Sequence, residues 1–240
     1  MKWIRKPRFL LVYPLVAVIF LVAHTTERQL LLGLPIVLLG EFIRLWADGY
    51  VGHVKVNWTQ HQRGDPKIGQ LITGGPYAYV RHPLYLGTFV IGLGFCIIVG
   101  NLWVSLAALA FFLLIYRWRM TKEEEILRYE WGEVFERYRR AVPRWLPSGR
   151  RYDQPNGQWS WQGIVASKEP KTLAWVIVVA ILLYLREEVF QEHEPFFGGA
   201  KGVTHIALLV LMAVLIAADV GYELKRRRAK RLQLSETASG

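Results

Sequence analysis

The sequence predicts an all-α polytopic membrane protein of about six transmembrane helices, and three observations carry that prediction. Of the 240 residues 52% are hydrophobic and mean hydropathy is positive, a composition that suits a membrane-embedded chain better than a soluble basic domain. The apolar residues gather into six runs, Phe9–Ala23, Leu30–Ala47, Leu84–Val99, Leu102–Tyr116, Thr172–Leu185 and Val203–Ala218. The formal net charge of +11 sits on Lys and Arg residues that flank those runs, which is where membrane proteins carry their cations.

Taken in order, Lys2, Arg5, Lys6 and Arg8 followed by Phe9–Ala23 imitate a signal peptide, but further membrane segments follow, so the run reads as a retained first helix. Several runs fall short of the ~20 residues that cross a bilayer, so flanking Trp, Tyr and Arg complete the spans by snorkelling. Only Gly100-Asn101 separates the third and fourth runs, a turn that fits a tight antiparallel helical hairpin. Pro83 opens the hairpin where a missing N–H costs nothing, and Gly87, Gly92 and Gly94 let a neighbouring helix approach closely. In Thr121–Ala141, Leu127, Trp131, Val134/Phe135 and Tyr138 recur at helical spacing, predicting a cytoplasmic amphipathic helix. Thr121 with Glu124 resembles a capping box, which would start that helix at Thr121.

Three divisions follow: a membrane core over 1–147, a cytoplasmic linker over 148–171 rich in Gly, Pro and Ser, and a C-terminal transmembrane pair with a basic tail over 172–240. The end of the tail, Ser235–Gly240, is expected to be disordered. With the N-terminus inside, cations concentrate in the tail Lys225–Arg231, in Arg117–Lys171 and in Val51–Arg81, while the opposite loops hold only Arg28, Arg186 and Lys201. The positive-inside rule then makes both termini cytoplasmic. Anionic lipid headgroups fit these cations better than nucleic acid does, because the charges lie beside apolar runs and not along one polar face. Cys96 stands alone, which excludes an intramolecular disulfide and a cysteine metal site. His24, His53, His61, His193 and His205 lack ligand spacing, and no metal is inferred. Glu41 and Arg44, three residues apart inside the second run, read as a mutual pair.

Two stretches carry chemistry. Gly74-Gly75-Pro76-Tyr77-Ala78-Tyr79-Val80-Arg81-His82-Pro83-Leu84-Tyr85-Leu86-Gly87 sets charged and aromatic residues immediately before the hairpin. After the hairpin come Glu123-Glu124-Glu125, Trp131-Gly132, Phe135, Tyr138 and Val142-Pro143-Arg144-Trp145-Leu146-Pro147. Both fall on the cytoplasmic side, so carboxylates, cations and aromatic walls can meet in one site. No P-loop, nucleophile elbow or Gly-rich nucleotide fingerprint is present.

These two stretches at this spacing resemble the integral-membrane methyltransferases related to isoprenylcysteine carboxyl methyltransferase and the phospholipid methyltransferases, over roughly residues 30–147. The resemblance implies S-adenosylmethionine held in a cytoplasmic-side pocket without a Rossmann domain. It implies cofactor contacts from Tyr79, Arg81, His82, Tyr85 and Gly87, with Glu124, Tyr138 and Arg144 closing the pocket, and catalytic roles for Arg81, Glu124 and Arg144. The chemistry of the cofactor agrees: Glu124 could hold its ammonium, Arg81 or Arg144 its carboxylate, and Tyr85 or Tyr138 its adenine. A prenylcysteine carboxylate is already a nucleophile at neutral pH, whereas an amine must first lose a proton to Glu123 or Glu124.

The expected activity is therefore methyl transfer to a lipophilic or prenylated acceptor, with the carboxylate of an isoprenylated cysteine ahead of a phospholipid amine. Two rivals come from other classes, an NADPH-dependent sterol-type reductase and a non-enzymatic lipid-binding protein. The sequence fixes neither the acceptor, the oligomeric state nor the role of the last two helices.

Overall fold

The computed structural model describes residues 22–51, 70–166, 169–191 and 201–238, and every regular element in them is helical. The run Phe9–Ala23 lies outside the described residues but for its last two, and so does most of the loop between the second run and the Gly74 stretch. The chain forms two compact units that divide between Pro170 and Lys171.

In the first unit α1 spans Glu27–Val51, α2 Pro83–Val99, α3 Leu102–Ala141 and α4 Trp161–Ala166, with a 3-10 turn over Gly75–Ala78 ahead of α2. The buried residues of α1 include Gly33, Val37, Gly40, Glu41, Ala47 and Asp48, and those of α2 include Gly87, Ile91, Gly94 and Ile98. The α2 set recurs every three or four positions, and so does the α1 set from Gly33 to Gly40, so each helix turns one stripe toward the other. The stripes meet at glycines: a Cβ on Gly40 would lie 2.7 Å from Gly87 O, and one on Gly94 2.8 Å from Gly33 O. Where lipid replaces water outside, such close backbone contact is what binds helices together.

The hairpin predicted at Gly100-Asn101 is present. Gly100 adopts the left-handed conformation at φ 65, and the Asn101 side chain caps α3 by accepting from Val104 N. A file of rings joins its two arms, Phe89 on Phe112, Phe112 on Tyr116 and Tyr116 on Tyr85, with centroids 5.5, 4.0 and 4.9 Å apart. The outward side chains Leu102, Trp103, Leu106 and Leu114 are exposed, as a lipid-facing surface requires.

The capping-box expectation at Thr121 is corrected. No helix starts there: α3 runs through, and the Thr121 hydroxyl donates to Arg117 O at 2.9 Å inside it. Residues 117–121 contain neither Gly nor Pro, so nothing stops the helix once it leaves the apolar part at Tyr116. The residues of α3 before the kink at Gly132 extend ~45 Å at 1.5 Å per residue, more than the ~30 Å hydrocarbon core. Its apolar first part, 102–116, is the portion suited to lipid, and its continuation is charged.

That continuation breaks at Gly132, whose φ 46 and ψ −120 are not helical. The break turns the last limb back so that Phe135 and Tyr138 pack with Leu71, Ala78, Val142 and Tyr152. A Cβ at Gly132 would meet nothing within 4 Å, so it is the backbone conformation, not space, that calls for glycine here.

The segment expected to be a linker is folded onto this cluster. Ser148 N donates to Tyr79 O, Tyr152 N to Ala78 O and Ser160 N to Gly49 O, at 2.8, 2.9 and 2.8 Å.

In the second unit α5, Glu169–Arg186, ends in one π-helical turn, Glu187–Gln191, and α6 spans Gly202–Ala238. Asp219 of α6 accepts from Lys171 Nζ at 3.0 Å and from Trp175 Nε1 at 3.2 Å, and Lys201 Nζ reaches Glu188 at 2.9 Å. These pairs set the two helices antiparallel.

Among the described residues three helices are long and apolar enough to cross a membrane: Glu27–Val51, Leu102–Ala141 and Gly202–Tyr222. Pro83–Val99 is apolar but shorter. Among the described residues the fold is all-helical, with helices of membrane-spanning length and composition.

Candidate functional site

At the Pro83 end of the hairpin, α1, the 3-10 turn, α2 and α3 border a cavity of about 350 Å³, within the range of small-molecule sites. Arg81 and His82 enter it from the loop before α2, Tyr77 from the 3-10 turn, and Glu123, Trp131 and Tyr138 from α3. The loop is locked in place because Arg81 N donates to Pro143 O at 2.9 Å, joining the first sequence stretch to the second.

The three consecutive glutamates separate because residues on a helix turn ~100° apart. Glu123 lines the cavity. Glu124 points behind it into a cluster of cations, and Glu125 pairs with Lys122 at 2.9 Å on the surface.

Glu124 is the hub of the site. Its Oε1 accepts from His82 Nε2 and Arg144 Nε, each at 3.0 Å, and lies 3.2 Å from Arg81 Nη1. Arg144 Nη2 closes a second bond to Oε2, giving the paired fork of an arginine and a carboxylate. Burial alone would push this carboxyl up, but the hydrogen bonds from His82 and Arg144 and the charge of Arg81 hold it down to about 2. An ionised carboxylate only accepts, so Nε2 of His82 carries the proton. Burial pushes the His82 imidazole below its ordinary range, against the pull of Glu124.

Glu123 differs. Burial raises it to about 7, against the hydroxyl that Tyr85 donates to it and the positive charge of Arg119. His82 Nδ1 lies 3.8 Å from its other oxygen. The site therefore presents to the cavity a carboxyl poised near neutrality, backed by a second that stays charged.

Arg81 is the group whose bonding is incomplete. Its side chain is only 10% exposed, it borders the cavity, and its Nε and Nη1 are buried without a hydrogen-bond partner. The approach to Glu124 is an ion pair without hydrogen-bond alignment. Unsatisfied guanidinium donors are costly, and a carboxylate in the cavity would satisfy them.

The expected site residues thus fall into groups. Arg81, His82, Tyr85 and Tyr138 border the cavity. Glu124 stands behind it, bonded to His82 and paired with Arg81, and Arg144 in turn bonds Glu124. The Tyr79 ring packs beside the Phe135 cluster. Gly87 faces α1, where a Cβ would meet Arg44 Cγ at 2.5 Å. Several lining residues had no sequence signal strong enough to draw them in: Gln70, Leu71 and Ile72 carry no motif, and Tyr116 reads as the end of a span. Arg44 had one, being a charge inside an apolar run. It lines the cavity together with Thr88, and its Nη1 donates to the Thr88 hydroxyl.

Residues 31–129 match the isoprenylcysteine carboxyl methyltransferase family. A protein-S-isoprenylcysteine O-methyltransferase of Schizosaccharomyces pombe is 34% identical over 112 residues, 45% of this chain and 45% of that protein. The Homo sapiens protein of the same name is 32% identical over 118 residues, 48% of this chain and 40% of that protein. Protein-S-isoprenylcysteine O-methyltransferase B of Arabidopsis thaliana is 28% identical over 123 residues, 48% of this chain and 57% of that protein. The chain spans about half the length of the curated relatives it matches. No solved structure matches it.

Proposed function

We propose, from the match of residues 31–129 to the isoprenylcysteine carboxyl methyltransferase family, that this chain methylates the carboxylate of an isoprenylated cysteine. The methyl donor in this reading is S-adenosylmethionine. The names of the relatives favour a carboxylate acceptor over a phospholipid amine, a sterol or a purely structural role. The distribution of cations in the sequence supports a cytoplasmic-face position for the cavity.

The observation that carries the reading is Arg81, a mostly buried guanidinium with two donors that make no hydrogen bond, bordering a cavity that also holds a carboxyl and aromatic walls. That set fits an amino-acid-bearing nucleoside. Arg81 would hold the carboxylate, Glu123 the ammonium, and Tyr77, Trp131 and Tyr138 the adenine. When bound, S-adenosylmethionine supplies a methyl group made electrophilic by its sulfonium. Glu124, gripped by Arg144, holds the His82 ring by a hydrogen bond and Arg81 by charge, so that part of the alignment is built in before binding. Arg44 places a positive charge at the end nearest the hairpin, where an acceptor carboxylate would sit. Such a carboxylate is ionised at neutral pH and needs no base. Tyr85, Tyr116 and Leu84 line the approach with apolar surface and keep water from competing.

The test is titration of the purified, detergent-solubilised protein with S-adenosylhomocysteine, the demethylated donor. Saturable binding that weakens at least tenfold in Arg81→Ala is expected, from loss of charge-assisted bonds worth ~1.5–3 kcal/mol. Equal binding by the two proteins would sink the assignment of Arg81.

A further inference from the structure

Residues 148–157 form a strap that gives no side chain to the cavity among the described residues, yet they grip its wall from behind. The wall in question is Gln70, Leu71, Ile72 and Tyr77. Thr73 N and Gly74 N both donate to Asn156 O, at 3.0 and 2.8 Å. Asn156 Nδ2 donates to Leu71 O at 3.0 Å, and Asn156 N to the Thr73 hydroxyl oxygen at 2.8 Å. That hydroxyl in turn donates to Gln154 O at 3.0 Å. Thr73 is 4% exposed, so these groups have no water to fall back on.

The other side of the same segment is held by α1. Gly75, at φ 59, lies so close to the Tyr50 ring that a Cβ would come within 2.1 Å of it, and a Cβ on Gly74 would meet Asn156 O at 2.9 Å. The wall is therefore clamped between Tyr50 and Asn156. The family match ends at residue 129, so the strap is a feature of this chain beyond the matched segment.

We propose that Asn156 is a positioning residue for the methyl-donor pocket, holding the Leu71–Tyr77 wall through the main chain of Leu71, Thr73 and Gly74. This rests on the methyltransferase reading given above. Asn156 touches no reacting atom, so its contribution lies in donor binding and not in the chemical step. Loss of its side chain frees Leu71 O and loosens the wall. Loss of the Thr73 hydroxyl does the same from the opposite side of the clasp.

The test uses the full-length chain with Asn156→Ala, Thr73→Val and Thr73→Ser, the last keeping the hydroxyl. S-adenosylhomocysteine affinity should fall about tenfold in the first two, the effect of one or two buried hydrogen bonds, and stay within twofold in Thr73→Ser. With activity as readout, KM for the donor should rise while kcat and KM for the acceptor hold, a split that a general loss of folded protein does not give. Unchanged affinity in Asn156→Ala and Thr73→Val overturns the proposal. A wild-type chain that does not bind S-adenosylhomocysteine overturns the methyltransferase reading instead. Should both variants fail to fold, hydrogen exchange on the wild type decides: saturating ligand should slow exchange across 148–157, outside the cavity, and no change there overturns the proposal.

Discussion

Replacing Glu124 by Gln removes one negative charge from a place where three basic side chains converge, and its cost can be worked from the geometry. Glu124 accepts from His82 and from both arms of Arg144 and faces Arg81 at 3.2 Å. The amide keeps the shape and one acceptor oxygen, but its NH₂ turns a donor toward Arg144, and Arg81 loses its counter-ion. Breaking one partner of a buried ion pair costs ~3–5 kcal/mol. Arg144 is 27% exposed and recovers part of its solvation, so the lower end applies, about 3 kcal/mol. Thermal unfolding in detergent, followed by tryptophan fluorescence, should show this difference at neutral pH. The pH dependence supplies an internal check. A carboxyl held at about 2 in the folded chain, against 4.5 ordinarily, gives stability that is complete above pH 4.5 and fades as pH falls toward 2. The gap between wild type and Glu124→Gln should close over that window. A variant as stable as wild type at pH 7, or a gap that persists unchanged to pH 2, would refute the view of Glu124 as a charged hub.

Further expectations concern its neighbours. Glu123, raised to about 7, holds its proton in the folded chain over a range where the unfolded chain has lost it, so its contribution makes stability fall as pH rises from 4.5 through 7. Affinity for S-adenosylhomocysteine should rise over the upper part of that window as Glu123 ionises to meet the ammonium, and Glu123→Gln should flatten the profile; a slope that survives in the variant contradicts the pairing. Gly132→Ala should destabilise the chain by ~1–3 kcal/mol through backbone strain alone, since nothing would touch the added methyl. It should also weaken donor binding by disturbing Tyr138, and calorimetric titration beside a melting curve reads both effects.

What the sequence makes legible is what depends on neighbours along the chain. The Gly100-Asn101 turn announces the hairpin, and Arg81-His82-Pro83 announces the start of α2, because a two-residue connection and a proline at a helix start leave little choice of geometry. That Glu123 and Glu124 meet Arg81 and His82 also follows from two polar stretches placed at the same end of one helical hairpin. Thr121 misleads, since its side chain and Glu124 have the spacing of a cap although the chain before them is already helical. Trp131-Gly132 carries a backbone reversal that periodicity does not encode. The clasp between Thr73 and Asn156 joins residues 83 positions apart through main-chain bonds that no local pattern advertises. The roles of Glu123 and Glu124 separate only once helical rotation is known, because in sequence they are adjacent and identical.

The central claim is carboxyl methylation, and the nature of the product tests it most directly. The purified protein would be incubated with methyl-labelled S-adenosylmethionine and N-acetyl-S-farnesylcysteine, and the product treated with base. Label transfer should saturate with both substrates and be lost in Arg81→Ala, and the label should be released as methanol because a methyl ester hydrolyses in base. Label that stays bound after base treatment, or no transfer by a protein that binds S-adenosylhomocysteine, would contradict it.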